Sequence, residues 1–198
     1  MQFPNAPATY ALIAVNLFIS LYALYADRRF IGHFAFNVEA VARGGQHYRV
    51  VTSSFLHGGL IHLAFNMLTL LFFGPTVERL LGKLGFLVVY FGAIVASGIT
   101  SLIARRREPS YSSIGASDAV SGVVLSFCVF FPFAPIYIFP IPFGIPAFVY
   151  GALFIFISVR MMGAQDGRIA HEGHLGGALG GLILTLLMRP DALTRFFG

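Results

Sequence analysis

The chain has 198 residues, of which 57% are hydrophobic and 11% charged, with a formal net charge of +5 and a mean hydropathy of +0.81. Soluble domains carry about a quarter charged residues, so this composition excludes an ordinary water-soluble globule and points to a chain solvated by lipid. The Lys and Arg residues stand in short clusters between apolar spans, which ties the basic balance to membrane topology and away from nucleic acid, and the single cysteine, Cys128, excludes an intrachain disulfide and a Cys-based metal cluster.

Crossing a bilayer core takes about 20 apolar residues in a helix, and the sequence predicts six such spans, at 9–26, 52–73, 84–104, 115–131, 147–162 and 169–188. No Lys or Arg precedes the first, unlike the n-region of a signal peptide, so it is expected to be a retained helix. Residues 27–48 mix Phe30, Phe34, Phe36 and Val38 with charges and are expected to lie in the membrane interface. Residues 119–159 hold no Lys, Arg, Asp or Glu, a stretch too long for one crossing. Pro132, Pro135, Pro140, Pro142 and Pro146 interrupt it, which predicts two helices joined by an apolar turn. Phe148, Phe154 and Phe156 of the fifth span are expected to face lipid or to pack. With no Trp present, Tyr25, Tyr48, Tyr111 and Tyr137 near the span ends take the interfacial aromatic role. The expected fold is an all-α membrane protein, a six-helix bundle forming one domain over residues 1–198.

Ionisable and strongly polar groups inside membrane spans are costly unless paired or hydrated, so they mark candidate sites. Here they cluster: His57, His62 and Asn66 in the second span, Gly115-Ala116-Ser117-Asp118 at the start of the fourth, and His171-Glu172-Gly173-His174 at the start of the sixth. Successive spans alternate direction, so the N-terminal ends of even-numbered spans share one side of the membrane. His62 and Asn66, four apart, share a helix face; His174, Gly177 and Gly181 share another. Ser117, Ser121 and Gly122 form a matching small face, and small residues let membrane helices approach closely.

A serine acts as a nucleophile near neutral pH when a base takes its proton, and histidine is the usual partner. Ser117 and His174 fit those roles. The developing oxyanion needs fixed donors, which the Ser117 amide at a helix N-terminus, His62 and Asn66 can supply. No carboxylate is placed by spacing to complete a triad, so a Ser-His dyad is expected, with no cofactor and no metal.

Other readings of the same residues stand beside this one. Ser117 can simply cap a helix, and His174 and Asn66 can bridge helices. His171-Glu172-Gly173-His174 is one residue short of the H-E-x-x-H zinc motif. His57, His62, His171 and His174 together describe a His-lined metal carrier or channel. Cys128 reads as apolar filling, and Arg105-Arg106-Arg107 as a solvated loop or headgroup contact.

The run His47-Tyr48-Arg49, the stretch from Phe55-Leu56-His57-Gly58-Gly59 through His62 to Asn66-Met67, Gly115-Ala116-Ser117, and His174-Leu175-Gly176-Gly177 with Gly181 together resemble the rhomboid family of intramembrane serine proteases. The resemblance covers most of the chain. It implies Ser117 as nucleophile, His174 as general base and acid, His62 and Asn66 as oxyanion contributors, and transmembrane proteins in the lipid bilayer as substrates. It also implies a multi-pass protein, of the cell membrane in a bacterium, whose fifth span is a lateral gate. A rhomboid-like protein that binds transmembrane helices without cutting them is the alternative within the fold. Asp118 departs from the family's Gly-Ala-Ser-Gly, adding a carboxylate beside the nucleophile, although Asp in a first helical turn suits the helix dipole. The family's usual orientation, N-terminus inside and site outward, leaves Arg79, Lys83, Arg189 and Arg195 inside and the other nine basic residues outside, whereas the positive-inside rule favours the reverse.

Overall fold

The computed structural model describes residues 5–138, 140–161 and 170–196, and these are predominantly helical. Helix α1 (Pro7–Leu21) continues as a π-helical turn over Tyr22–Ala26. Its start lacks a side-chain cap of its own, since the N-cap residue, Ala6, carries no side-chain acceptor. The buried Glu78 carboxylate takes that role, accepting from the amides of Ala8 (3.0 Å) and Thr9 (2.8 Å) and from the Thr9 hydroxyl (2.7 Å).

The segment after α1 is structured. It folds as α2 (Arg29–Phe34), β1 (Phe36–Asn37), α3 (Val38–Ala42) and α4 (Arg49–Thr52), with a 3-10 turn at Ser53–Phe55. Asn37 caps α3 through its side-chain oxygen. Arg49 binds the carbonyls of Gly32 and Ala35 at 2.9 Å each, and so ties the loop to itself. Strand β1 pairs antiparallel with β2 (Ser112–Ser113), which joins this loop to the one before Ser117.

Helix α5 (Leu60–Ala104) takes in the second predicted span from residue 60 onward and all of the third. At 1.5 Å per residue its 45 residues would be roughly 70 Å long if straight. The non-helical backbone of Gly82 (φ 71°, ψ 166°), which a residue with a Cβ rarely adopts, breaks it into limbs at 60–81 and 83–104. The limbs run antiparallel: the Leu80 carbonyl accepts from Arg189, whereas His62 and Ser97 both return to the Ser117 end. The first limb starts at Leu60 and not near residue 52, because residues 53–55 are a 3-10 turn and the backbone is extended at Leu56 and Gly59.

The remaining helices are α6 (Ser117–Phe130), α7 (Ala147–Met161) and α8 (His171–Met188). The Pro-rich connection between α6 and α7 forms a small antiparallel pair, β3 (Pro135–Ile136) with β4 (Ile145–Pro146). By length and hydropathy, Pro7–Ala26 and Leu60–Ala104 suffice to cross a membrane, while α6 and α7 are shorter apolar helices. The chain is thus all-α, with α6 innermost: Ala119, Val123 and Ser126 are fully buried against α5 and α8.

Large apolar side chains point outward on the outer helices, among them Phe18 (75% exposed), Phe72 (72%), Leu84 (78%) and Leu187 (74%). A water-soluble monomer does not carry such a belt. Two expectations fail here. Tyr111 turns inward beneath the Arg105 guanidinium, 4.8 Å from its ring centre, instead of facing the interface. Arg105 is itself buried (7% exposed) and not solvated, because Glu172 draws it in.

Candidate active site

Ser117 is the first residue of α6, so its amide is among the N–H groups that no carbonyl of the same helix satisfies. The preceding backbone is held from two directions. The Gly115 amide donates to the Ser53 carbonyl at 3.0 Å, and the Ala116 amide makes a long contact to His57 Nε2 at 3.4 Å. A ring nitrogen that accepts in this way leaves the proton on Nδ1, which stands 2.8 Å from Ser20 Oγ; Ser20 in turn donates to the Phe55 carbonyl. His57 is fully buried. Its ring is therefore committed to shaping the chain before Ser117.

Gly115 has a φ of +135°, which disfavours any side chain. A Cβ there would also stand 3.1 Å from His62 Nε2 and 3.4 Å from Ser117 Oγ. Glycine at this position thus lets the His62 imidazole approach the serine.

His174 projects from the first turn of α8, and its Nε2 lies 2.7 Å from Ser117 Oγ. With Nε2 unprotonated, the serine hydroxyl donates to it. Phe154 of α7 stacks on the ring, with centres 6.5 Å apart. That contact turns Phe154 toward the site, while Phe156 (62% exposed) faces outward.

Asn66 stands one turn beyond His62 and spends one N–H on the His62 carbonyl at 3.0 Å, leaving its second amide hydrogen toward the cavity. His62, Asn66, Ser117 and His174 line a common cavity of about 880 Å³. The structure therefore brings all four residues together. His57 and His171 stand apart in function: the first holds backbone, and the second meets His174 edge-on at 6.4 Å. Among the described residues, no group of three or more His, Cys, Asp or Glu is arranged to hold a metal ion.

Two further features lay beyond the sequence reading. Glu172, two residues before His174, is fully buried and bound by Arg105 through both carboxylate oxygens (2.7 and 3.3 Å). This pair fastens the first turn of α8 to the end of α5, and Glu108 shares the guanidinium at 3.1 Å. Asp118 lines the same cavity as His62, Ser117 and His174. It turns between α5 and α8, where Ser97 donates to Oδ2 at 2.5 Å.

Glycines bring the helices that carry the pair into contact. A Cβ on Gly177 would overlap the Asp118 backbone, and one on Gly181 would overlap that of Gly122. One turn further, the Ser126 and Thr185 hydroxyls bond at 2.6 Å.

A family model described as the rhomboid domain matches residues 44–191. Rhomboid protease GluP of Bacillus subtilis (strain 168) is 30% identical over 185 residues, covering 90% of this chain and 34% of that protein. RHOMBOID-like protein 4 of Arabidopsis thaliana is 31% identical over 157 residues, 78% of this chain and 38% of that one. The mitochondrial Rhomboid protein 1 of Saccharomyces cerevisiae is 31% identical over 140 residues, 68% and 40% respectively. The chain thus spans between 34% and 40% of the length of these relatives. With its domain matched over residues 44–191 of 198, the chain belongs to the rhomboid family, integral membrane proteins that include serine proteases.

Proposed function

We propose that this chain is an intramembrane serine endopeptidase that cuts peptide bonds in or near transmembrane segments of membrane-protein substrates. The observation that carries this reading is the 2.7 Å contact between His174 Nε2 and Ser117 Oγ, made at the wall of a cavity of about 880 Å³. The protease named among its relatives supports it.

In this reading the 198 residues form one rhomboid-like domain crossing the membrane six times, through α1, the two limbs of α5, α6, α7 and α8. The outward belt of Phe18, Phe72, Leu84 and Leu187 supports burial in lipid. The polar ends of α5, α6 and α8 meet at the cavity, where water needed for hydrolysis can stand.

His174 Nε2 takes the Ser117 proton as Oγ attacks the substrate carbonyl carbon. The resulting oxyanion is met by the Ser117 amide, by the Asn66 side-chain amide and by His62. The imidazolium returns its proton to the leaving amine as the C–N bond breaks, leaving an acyl-serine. Water, deprotonated by His174, then attacks the ester and restores the serine.

The test is cleavage of a labelled panel of transmembrane substrates in liposomes by wild type, Ser117→Ala and His174→Ala. Loss in both variants, with unfolding temperatures unchanged, is the expected result; unchanged cleavage in either overturns the mechanism. Asp118→Gly examines the second reading, a relative that binds helices without cutting them, which Asp118 in place of the family's glycine favours. An inert wild type beside an active Asp118→Gly would establish it.

A further inference from the structure

The dyad leaves one charged neighbour without a task. Asp118 follows the proposed nucleophile directly, yet its carboxylate lies on the α8 side of the helix. Oδ1 is 3.8 Å from His174 Nε2, within ion-pair reach but too far for a hydrogen bond. Oδ2 accepts from Ser97 of α5 at 2.5 Å, which fixes the carboxylate from a third helix. Room for this arrangement comes from Gly173: a Cβ there would stand 2.9 Å from Ser97 Oγ and 3.1 Å from Asp118 Oδ1. Both groups are largely buried, Ser97 at 3% and the Asp118 side chain at 19% exposed. Low polarity strengthens a charge interaction at this distance.

We propose that Asp118, oriented by Ser97, is the charge partner of His174 and stabilises the imidazolium formed when Ser117 gives up its proton. The inference rests on the protease reading for its catalytic purpose, but the pairing itself does not. Asp118 is a positioning residue in this scheme: it makes no bond to substrate and acts through space on the ring that carries the proton. It differs from the carboxylate of a Ser-His-Asp triad, which bonds the opposite ring nitrogen, because here it approaches the nitrogen that faces serine.

Other charges surround the ring. Among the described residues, His62 faces it from the start of α5, and His171 and Glu172 stand on α8 itself, Glu172 being neutralised by Arg105 of α5. From α7 come Phe154 and Tyr150, the second beside a smaller cavity behind the pair. Among the described residues, Asp118 is the acidic group nearest the reacting nitrogen, and no Lys or Arg pairs with it.

The experiment follows the histidine resonances of the full chain in detergent micelles against pH, with His174→Gln supplying the assignment, alongside pH profiles of kcat/KM. Asp118→Asn keeps the shape and the Ser97 contact but removes the charge. Losing an anion at this distance is expected to move both the His174 titration midpoint and the acidic limb of activity down by about one pH unit. The kcat at neutral pH is expected to fall about tenfold, the rate equivalent of that lost interaction. Ser97→Ala moves both readings the same way by less. A midpoint unmoved in Asp118→Asn overturns the proposal whether or not the wild type cleaves. A midpoint that moves in a protein that cleaves nothing sustains the pairing and removes the protease reading instead.

Discussion

Gly181 of α8 meets Gly122 of α6 backbone to backbone, with no side chain between them. That contact, one turn below the Gly177 contact with Asp118, sets how far α8 stands from α6 and therefore how close His174 comes to Ser117. Gly181→Val would force the helices apart. Overpacking of a filled interface costs about 1–3 kcal/mol, often more where backbone must move. Thermal unfolding in detergent is expected to fall, and labelling of Ser117 by a serine-reactive phosphonate is expected to drop with it.

Glu78 takes the place of an N-cap for a helix seventy residues away in sequence. Glu78→Ala would strip the Ala8 and Thr9 amides and the Thr9 hydroxyl of their acceptor in a buried place. The cost is expected to be about 1.5–3 kcal/mol, the range for hydrogen bonds to a charged group. Denaturant titration read by α1 detachment, for example protease access to the N-terminus, is the check; Glu78→Gln should recover part of the loss.

Removing Arg105 leaves the Glu172 carboxylate buried without its cation. Arg105→Ala is expected to cost on the order of 3 kcal/mol, as for other broken buried ion pairs. Because Glu172 lies in the same helical turn as His174, cleavage should fall more steeply than global stability. The double variant Arg105→Leu/Glu172→Leu removes both charges and is expected to unfold later than Arg105→Ala alone, which differential scanning measurements resolve.

His57→Phe tests the backbone clamp. It removes the ring nitrogens that meet Ser20 Oγ and the Ala116 amide, leaves Ser20 its bond to the Phe55 carbonyl, and keeps an aromatic ring against His62. The expected result is a fall in kcat with little change in KM, and a stability loss of about 1 kcal/mol for the lost bonds. A larger effect of chelators on the wild type than of this substitution would instead favour a metal role for the histidines.

Much of this was readable from residue order. Hydropathy located most of the helices, and the alternation expected of successive spans grouped the polar starts of the second, fourth and sixth, which the structure brings together at one cavity. The spacing of His62 with Asn66 and of His174 with Gly177 and Gly181 marked their inward faces. Where the reading stopped short, the cause was distance along the chain. Ser97 is 21 residues from Asp118, His57 is 59 from Ala116 and Arg105 is 67 from Glu172. No local periodicity reports such pairs. The basic run at Arg105-Arg106-Arg107 looked solvated because its buried member is distinguished only by a partner on another helix.

The sequence by itself determined that this chain is solvated by lipid, that it is helical, and which few polar residues its apolar spans must accommodate, since hydropathy and helical period are local properties. The tertiary structure alone decided where those side chains point. Helix rotation and depth, set by contacts such as Gly122 with Gly181, brought His174 to Ser117 and the Asp118 carboxylate to Ser97. Those are properties of packed surfaces, which exist only once the helices meet.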